Sequence, residues 1–320
     1  MSAPCVRYST TPSSDAFAIV RYGADASDVS VAAGMLCIDV AMPVLGYSGG
    51  NHEVWSTDGP MQHDTVGPLH LVRGDEFIFG AMKVDSTRPL EQASHDTYQL
   101  ILGVLAAQGY PVPLRMWNYL PRIVGRDSGG ERYQLFCSGR HLAFNTAPGY
   151  ENQLPAASAL GSHGPGMVVY FLAARAAGIQ VENPQQVSAF HYPRQYGPRS
   201  PSFSRAVIMP WGDRSHFYLS GTASVRGHAS LHHDDSPAQL QLTLDNITRL
   251  LTHGATLHPA APAGLDAMQL LKVYVRRRAD YPYLRAELER RLGANQAVLY
   301  LLADVCRTEL LLEIEGVGVS

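Results

Sequence analysis

The sequence contains few cysteines, and their positions give no sign of a thiol framework. The 320 residues include four, Cys5, Cys37, Cys137 and Cys306, and no two of them form a CxxC pair. Such wide spacing argues against a disulfide-stapled secreted domain and against a thiolate zinc site. We therefore expect reduced thiols and a cytoplasmic location.

Long apolar runs and an excess of one charge are also missing. No stretch approaches the roughly 18 apolar residues of a membrane span, and the polar first 15 residues lack the order of a signal peptide. A net charge of -3 offers no basic surface for nucleic acid. The thirteen histidines show no metal-ligand spacing, because adjacent residues such as His232 and His233 point to different sides of any element. We expect no metal.

The length and the pattern of elements predict two domains. A chain of 320 residues is long for one core. Short strands separated by turn clusters fill residues 16–82, and apolar residues at helical spacing from Tyr98 to Leu105 predict a helix. A glycine-rich loop then precedes a strand that starts at Met167. We place the boundary there, giving an N-terminal domain of residues 1–165 and a C-terminal domain of residues 166–320.

The second half combines strands with two amphipathic helices. Apolar spacing predicts helices from Gln239 to Leu251, ending before Gly254, and from Tyr283 to Leu292. Strands are predicted at 217–224, 271–275, 298–302 and 310–317. Strands grouped with helices on one side of them indicate an α+β fold.

The last predicted strand carries two carboxylates on one face. Leu312 and Ile314 point one way, whereas Glu313 and Glu315 point the other. A solvated outer face would account for this arrangement, and it is the more common one. The alternative is a carboxylic acid in an enclosed site, with a raised pKa and a proton to donate. The strand alone leaves both interpretations open.

Arg140 is a first candidate anion ligand. The run from Tyr133 to Phe144 resembles a helix that ends near Gly139, so Arg140 would lie just past the helix. There it could complement the C-terminal end of the helix, or its planar guanidinium could clamp a carboxylate.

A second set of candidates lies in the irregular segment 183–201. This segment carries Tyr192 and Tyr196, and Arg205 follows it among apolar residues. A loop rich in tyrosine and arginine is either a surface crossing or the wall of an anion pocket. The sequence leaves these two interpretations equally open.

Motifs of the second half resemble the RidA/YjgF family. They are a serine–glycine turn at Ser220 to Ser224, a helix with Gln239 and Asn246, and the strand Glu313-Ile-Glu315. In that family these elements line pockets between the subunits of small trimers. The resemblance implies two RidA/YjgF-like α+β domains, each a mixed sheet with helices packed on one face, in a pseudo-trimer-like arrangement within one chain.

At this length the chain is similar to the chorismatase family, which includes 3-hydroxybenzoate synthases. The matching features are Trp117-Asn-Tyr119, Tyr133-Gln134 with Gly139-Arg140, Pro193 to Arg205, Ser220 to Ser224 with Gly227-His228, and Cys306 with Glu313. The resemblance implies conversion of chorismate to pyruvate and 3-hydroxybenzoate, with or without 4-hydroxybenzoate. Because that reaction is redox-neutral, no cofactor is expected. The duplicated length implies a monomer.

The resemblance also implies roles for single residues. Glu313 would be the acid that protonates the enolpyruvyl methylene, which requires a pKa raised by about 2 units or more. A cysteine at the position of Cys306 accompanies aromatising members of the family, and an alanine accompanies hydrolytic members. The two residues can share a site only if the intervening 307–309 form a turn, since their spacing on one strand would set them on opposite faces. The expected substrate-binding residues are Arg140, Arg205, Tyr133, Tyr192, Tyr196, Gly221, Thr222 and Ala223.

Three other functions remain open at this point. One is a hydrolytic chorismatase that yields a dihydroxycyclohexadiene carboxylate and pyruvate. Another is a RidA-like imine deaminase or small-ligand binding protein, in which Glu313 only orders water. The third is a structural module that forms trimers.

Overall fold

The computed structural model describes residues 3–85, 87–146, 148–293 and 295–320. Its N-terminal part forms a five-stranded sheet in the order β1-β6-β2-β4-β3, and β5 pairs elsewhere. These strands are β1 (Cys5–Ser9), β2 (Ala16–Tyr22), β3 (Asp28–Ala32), β4 (Met35–Val40), β5 (Val44–Tyr47) and β6 (His52–Ser56).

A second sheet, with two helices, occupies the middle of the chain. Its strand order is β7-β8-β9-β14-β10-β13, with β10 and β13 parallel. The elements are β7 (Gln62–Val66), β8 (Leu69–Arg73), β9 (Phe77–Val84), α1 (Leu90–Gln108), β10 (Val112–Pro121), the short pair β11 (Arg126–Asp127) and β12 (Gly130–Glu131), α2 (Arg132–Phe144), β13 (Ala156–Ser162) and β14 (Met167–Ala174).

The C-terminal part repeats this plan. The strand order is β15-β16-β17-β22-β20-β21, with β20 and β21 parallel, and β5 extends the sheet beside β21. The elements are β15 (Ile179–Val181), β16 (Ala206–Trp211), β17 (Arg214–Thr222), the short pair β18 (Val225–Arg226) and β19 (Ala229–Ser230), α3 (Ser236–Leu257), β20 (Met268–Val275), α4 (Tyr281–Leu292), β21 (Ala297–Leu302) and β22 (Leu312–Val319).

The two helix-bearing sheets are therefore topological repeats. In each, three strands precede a helix, a strand and a second helix follow, and the last strand inserts into the middle of the sheet. The expected α+β class with a duplicated unit is confirmed. The predicted boundary at 165/166 needs correction, because β14 pairs along its length with β9 and β10 of the first repeat. The chain passes between the repeats after Ala174, before β15.

Alternation along the strands assigns one face of each repeat to its helices and the other to a shared core. On β14, Val169 and Phe171 pack on the α1 and α2 side, whereas Val168 and Tyr170 belong to the central core. That core also receives Trp55 from the N-terminal sheet, with large aromatic side chains from both repeats. Three sheets thus enclose one core, the pseudo-trimer-like arrangement expected of a single chain.

A glycine ends α1, whereas the glycines predicted to end α2 and α3 lie inside those helices. The predicted stop of α1 is confirmed at Gly109, which caps it in the left-handed conformation with φ 80°. The predicted end of α3 before Gly254 is wrong, since the helix continues to Leu257. Gly254 serves close packing, because a Cβ there would lie 2.9 Å from the Phe217 ring. None of the helices in the described ranges is long and apolar enough to cross a membrane.

Candidate active site

The two carboxylates of β22 face the interior of the molecule. Glu313 is 5% exposed and Glu315 is 1% exposed. They share a face with Val317, which belongs to the central core, while Leu312 and Ile314 pack on the helix side. The alternation predicted for this strand is therefore confirmed. The solvated-face interpretation is wrong, because this face of the sheet points towards the other two sheets.

Glu315 is held in its ionised form by two cations. Its Oε2 accepts a hydrogen bond of 2.7 Å from Arg115 Nη2, and its Oε1 lies 2.8 Å from Lys272 Nζ. Trp117 Nε1 donates a further bond of 2.9 Å. Burial alone would raise the pKa of Glu315, but the charges of Lys272 and Arg115 outweigh it and lower the pKa to about 2. Glu315 therefore has no proton to donate at neutral pH.

Glu313, two residues away, is in the opposite state. Burial and the negative charge of Glu315 raise the pKa of Glu313 to about 8, and the cations Arg115 and Arg205 offset only part of this. Its carboxyl group is thus mostly protonated at neutral pH. Because it also lines a cavity, it is an enclosed acid with a proton available.

That cavity lies between the two repeats and measures about 200 Å³. One wall comes from α2 and β13 of the first repeat, and the opposite wall comes from β17, β22 and the turn before β22. The segment between β15 and β16 completes it. Its lining includes Tyr133, Cys137, Arg140, Ser158, Tyr192, Tyr196, Phe203, Arg205, Gly221, Ala223, Cys306, Arg307 and Glu313.

Gly221 makes room for the acid. The pairing of β17 with β22 shifts register between Leu219 and Thr222, and Gly221 lies in this irregular stretch. A Cβ at position 221 would overlap Glu313 Oε1 and lie 2.6 Å from Glu313 Cδ. Ala223 also lines the cavity, as expected. Thr222 does not, because its side chain turns away and donates to the Ser220 carbonyl at 3.0 Å.

Arg140 lies inside α2, and the predicted helix end near Gly139 is wrong. The helix runs on to Phe144 because Gly139 serves close packing: a Cβ there would overlap the Glu91 carbonyl oxygen of α1. The helix-end role of Arg140 therefore falls away. Arg140 is 3% exposed, and its guanidinium carbon lies 4.9 Å from the centre of the Tyr98 ring. Its only bond within the described ranges is to Met116 Sδ at 3.7 Å, and its Nε has no partner there.

Arg205 offers a second buried guanidinium. Nη2 donates to Tyr192 Oη at 2.6 Å and to the Val187 carbonyl at 3.1 Å, while Nε has no partner among the described residues. Within that same part of the chain, no carboxylate lies within 4 Å of the Arg205 or Arg140 guanidinium. Buried cations that lack a close counter-ion are costly, and these two guanidiniums line the same cavity; Glu182 interacts with Arg205 electrostatically from a greater distance. Residues of segment 183–201 form part of the cavity wall, and the binding of an anion there stays a prediction.

The other predicted tyrosines also reach the cavity. Tyr133 stands on α2 one turn before Cys137, and both line it. Tyr196 lies under Arg307, whose guanidinium carbon is 3.8 Å from the ring centre, and its hydroxyl is 3.3 Å from His228 Nδ1. Arg307 itself donates to the His228 carbonyl at 2.9 Å. The aromatic wall is thus fixed from the turn that precedes β22.

Cys306 meets the condition for sharing a site with Glu313. Residues after it form a turn, closed by a hydrogen bond of 3.2 Å from Leu310 N to the Arg307 carbonyl, and Cys306 lines the cavity that contains Glu313. Burial and the neighbouring Glu313 raise the pKa of the Cys306 thiol to about 12. The thiol is therefore protonated at neutral pH.

Sequence reasoning missed several residues of this region. Arg307 and Cys137 were not singled out as lining residues, and no motif identifies them. Arg115 and Lys272 carried a detectable signal, because each is a lone cation inside an apolar strand, Leu114-Arg-Met-Trp117 and Leu271-Lys-Val-Tyr274. Such a cation requires a buried partner, and here the partner is Glu315.

Comparisons with known proteins agree on one family. The family model described as "Chorismatase FkbO/Hyg5-like, N-terminal" matches residues 53–173. A 3-hydroxybenzoate synthase of Streptomyces hygroscopicus is 39% identical over 274 residues, which cover 83% of this chain and 80% of the relative. A chorismatase of Streptomyces rapamycinicus is 35% identical, with coverages of 83% and 81%. A crystal structure of a chorismatase superposes with a TM-score of 0.91 at 31% identity, covering 99% of this chain and 98% of that one.

Proposed function

The chain belongs to the FkbO/Hyg5-like chorismatase family, and we propose that it converts chorismate to 3-hydroxybenzoate and pyruvate. One observation carries the proposal: a buried, protonated carboxylic acid shares a cavity of about 200 Å³ with two buried guanidiniums, and no carboxylate of the described residues lies within 4 Å of either guanidinium. An acid facing an anion site suits a reaction in which a dianion must be protonated on carbon. The relative named 3-hydroxybenzoate synthase supports this choice of product.

The binding groups match the charges of the substrate. Chorismate carries two carboxylates, and Arg140 and Arg205 can each receive one, because a guanidinium offers a planar pair of donors. Tyr133, Tyr192 and Tyr196 can hydrogen-bond the carboxylates and the ring hydroxyl. Gly221 and Ala223 leave the backbone open beside Glu313. Thr222 has no part in this proposal, because its side chain points away from the cavity.

Glu313 starts the reaction by donating its proton to the methylene carbon of the enolpyruvyl group. This creates an oxocarbenium-like centre and leaves Glu313 as a carboxylate. The ring C4 hydroxyl oxygen then bonds to C3 as the C3–O ether bond breaks, and the electron pair of that bond becomes part of the pyruvate carbonyl. The hydroxyl proton returns to Glu313.

Aromatisation completes the balance. The C4–O bond of the epoxide-like intermediate opens, C3 loses its proton, and the oxygen on C3 gains one. One chorismate gives one 3-hydroxybenzoate and one pyruvate, with no water, oxidant or reductant consumed. The protonated thiol of Cys306 stands beside this step, where it can relay the proton and exclude the water that hydrolysis would need.

Product analysis after incubation with chorismate tests the proposal. We expect equal amounts of pyruvate and an aromatic phenol that co-elutes with 3-hydroxybenzoate. A non-aromatic diene diol in place of the phenol would overturn the proposal in favour of a hydrolytic chorismatase. Turnover of 2-aminoacrylate without turnover of chorismate would overturn it in favour of an imine deaminase.

A further inference from the structure

Four charged side chains meet at the centre of the molecule, outside the cavity described above. They come from all three sheets: Glu53 from β6, Arg115 from β10, and Lys272 and Glu315 from β20 and β22. Each of the four is 1% exposed. Lys272 Nζ lies 2.7 Å from Glu53 Oε2 and 2.8 Å from Glu315 Oε1, and Arg115 Nη2 lies 2.7 Å from Glu315 Oε2. We call this group the central cluster.

Neutral donors and acceptors hold the central cluster in place. Trp55 Nε1 donates to Glu53 at 2.7 Å, and Trp117 Nε1 donates to Glu315 at 2.9 Å. Lys272 Nζ also donates to Tyr22 Oη at 2.9 Å and to Tyr170 Oη at 3.1 Å. Two cations and two carboxylates make the cluster neutral overall. Such balance is what buried charges require, since removing one partner leaves another uncompensated.

Glu313 adjoins this neutral cluster. It lies two residues from Glu315 on the same face of β22, and Arg115 links the cluster to the cavity through a bond of 2.7 Å to Ser158 Oγ. If Glu313 were ionised, it would add a third carboxylate beside two cations that are already neutralised. The geometry and the charge count thus favour a protonated Glu313.

We propose that the central cluster of Glu53, Arg115, Lys272 and Glu315 acts as a fixed, charge-balanced support that keeps Glu313 protonated. Glu315 is then a positioning residue and not a second acid. This inference rests on the proposed function, because it assigns a purpose to the protonated state of Glu313. It also goes further, since it gives a role to four charged residues that do not line the cavity.

The first repeat offers a comparison within the same chain. In the second repeat, Glu313 and Glu315 pair with Tyr274 and Lys272 of β20. At the matching place in the first repeat, β10 residues Tyr119 and Trp117 pair with Val168 and Tyr170 of β14. In the first repeat, uncharged Val168 and Tyr170 therefore stand at the places of Glu313 and Glu315, and uncharged Trp117 stands at the place of Lys272. Glu313, Glu315 and Lys272 thus occur together on the second repeat only, while Arg115 comes from the first repeat and Glu53 from the N-terminal sheet.

Other groups around Glu313 could also affect its ionisation. Arg115 and Arg205 favour the ionised form, and Glu315 opposes it. Tyr274 faces Glu313 from β20. The remaining titratable groups that line the same cavity are Glu131, Tyr133, Cys137 and Arg140 from α2 and its start, Tyr192 and Tyr196 from the segment before β16, and Cys306, Arg307 and Glu309 from the turn before β22.

Carbon NMR of protein labelled at the glutamate carboxyl carbon tests the proposal without substrate. The resonance of Glu313 is assigned by its loss in Glu313→Gln, and its titration midpoint is compared between the wild type and Glu315→Gln. Glu315→Gln removes one negative charge from the central cluster, so two cations, Arg115 and Lys272, are then balanced only by Glu53. We expect the midpoint of Glu313 to fall by about 1–3 pH units.

A charge-neutral deletion is the matched control. The double variant Glu53→Gln/Lys272→Met removes one charge of each sign and leaves the Arg115–Glu315 pair intact, so the Glu313 midpoint should stay within a few tenths of a unit of the wild type. An unchanged midpoint in folded Glu315→Gln would overturn the proposal. An equal fall in both variants would also overturn it, because packing and not charge would then set the midpoint.

If Glu315→Gln does not fold, the carboxyl resonances of Glu313 and Glu315 in the wild-type protein test the proposal instead. Its spectrum should show Glu315 ionised at every pH at which the protein is folded, with Glu313 titrating above neutrality. A Glu315 that titrates at higher pH than Glu313 would overturn the proposal. Failure of the proposed function would give a different result: the protein would not turn over chorismate, while Glu313 would still titrate above neutrality.

Discussion

At the scale of single residues, the proposed chemistry depends on which buried groups have a charged partner and which do not. Glu313 has burial and a like charge beside it, which together raise its pKa to about 8, whereas Glu315 has two cations and a pKa of about 2. Two carboxylates on one strand thus divide into an acid and a permanent anion. Arg140 and Arg205 are the complementary case, since each is a buried cation whose Nε has no hydrogen-bond partner in the described part of the chain.

Arg140→Ala should weaken chorismate binding by about 2–5 kcal/mol, because one substrate carboxylate would be buried without its partner. Arg140→Lys should restore part of the loss, since lysine lacks the planar fork. The Michaelis constant and direct titration calorimetry measure the effect. Arg175→Ala is the control, because Arg175 also stacks on a tyrosine, 4.3 Å from the Tyr110 ring centre, but is exposed and outside the cavity. Normal binding by Arg140→Ala would remove Arg140 from the site.

Cys306→Ala should change what the enzyme makes more than how tightly it binds. Without the thiol, water gains access to the reacting ether, so we expect continued pyruvate release with less 3-hydroxybenzoate and more diene diol or 4-hydroxybenzoate. Chromatography of the products beside a pyruvate assay measures the partitioning. Cys37→Ala provides the control, since Cys37 is buried in a separate cluster of the N-terminal sheet. An identical product profile for Cys306→Ala would make Cys306 a packing residue.

At the scale of elements, β17 and β22 place the acid through one glycine. Gly221→Ala should push the Glu313 carboxyl out of position, and we expect turnover to fall by about 100-fold, with a stability cost of about 1–3 kcal/mol. Gly103→Ala is the control: nothing lies within 4 Å of a Cβ on this exposed helical residue, so it should raise stability by about 0.5–1 kcal/mol. Turnover and thermal unfolding of both variants check this. Full activity in Gly221→Ala would contradict the placement.

Helices and strands could be predicted where the pattern of neighbouring residues in the sequence determines them. Alternation gave β22 and the facing of its carboxylates, and apolar spacing gave α1, α3 and α4. Gly139 and Gly254 were misleading, because a glycine needed for close packing resembles one that ends a helix. The partners of Glu315 were beyond reach, since Arg115 is 200 residues away along the chain and only strand pairing brings them together. The same limit concealed the pairing of β14 with the first repeat.

At the scale of the whole molecule, the duplicated unit places both walls of the cavity in one chain. The first repeat supplies α2 and β13 to the cavity, and the second supplies β17, β22 and the turn with Cys306. We infer a monomer, because both walls of the site come from the same chain. Sedimentation should give a mass near 34.8 kDa. A particle of three times that mass would contradict the inference and favour a trimer-forming module.

The pH dependence of kcat/KM for chorismate, measured for the wild type and for Glu313→Gln, tests the central claim most directly. An acid must be protonated to act, so the wild-type value should hold below the Glu313 pKa of about 8 and fall about tenfold per pH unit above it. Glu313→Gln keeps the shape but has no proton to give, so its turnover should be lower by about 100-fold or more, with product binding unchanged. Retained turnover in a folded Glu313→Gln enzyme would contradict the account.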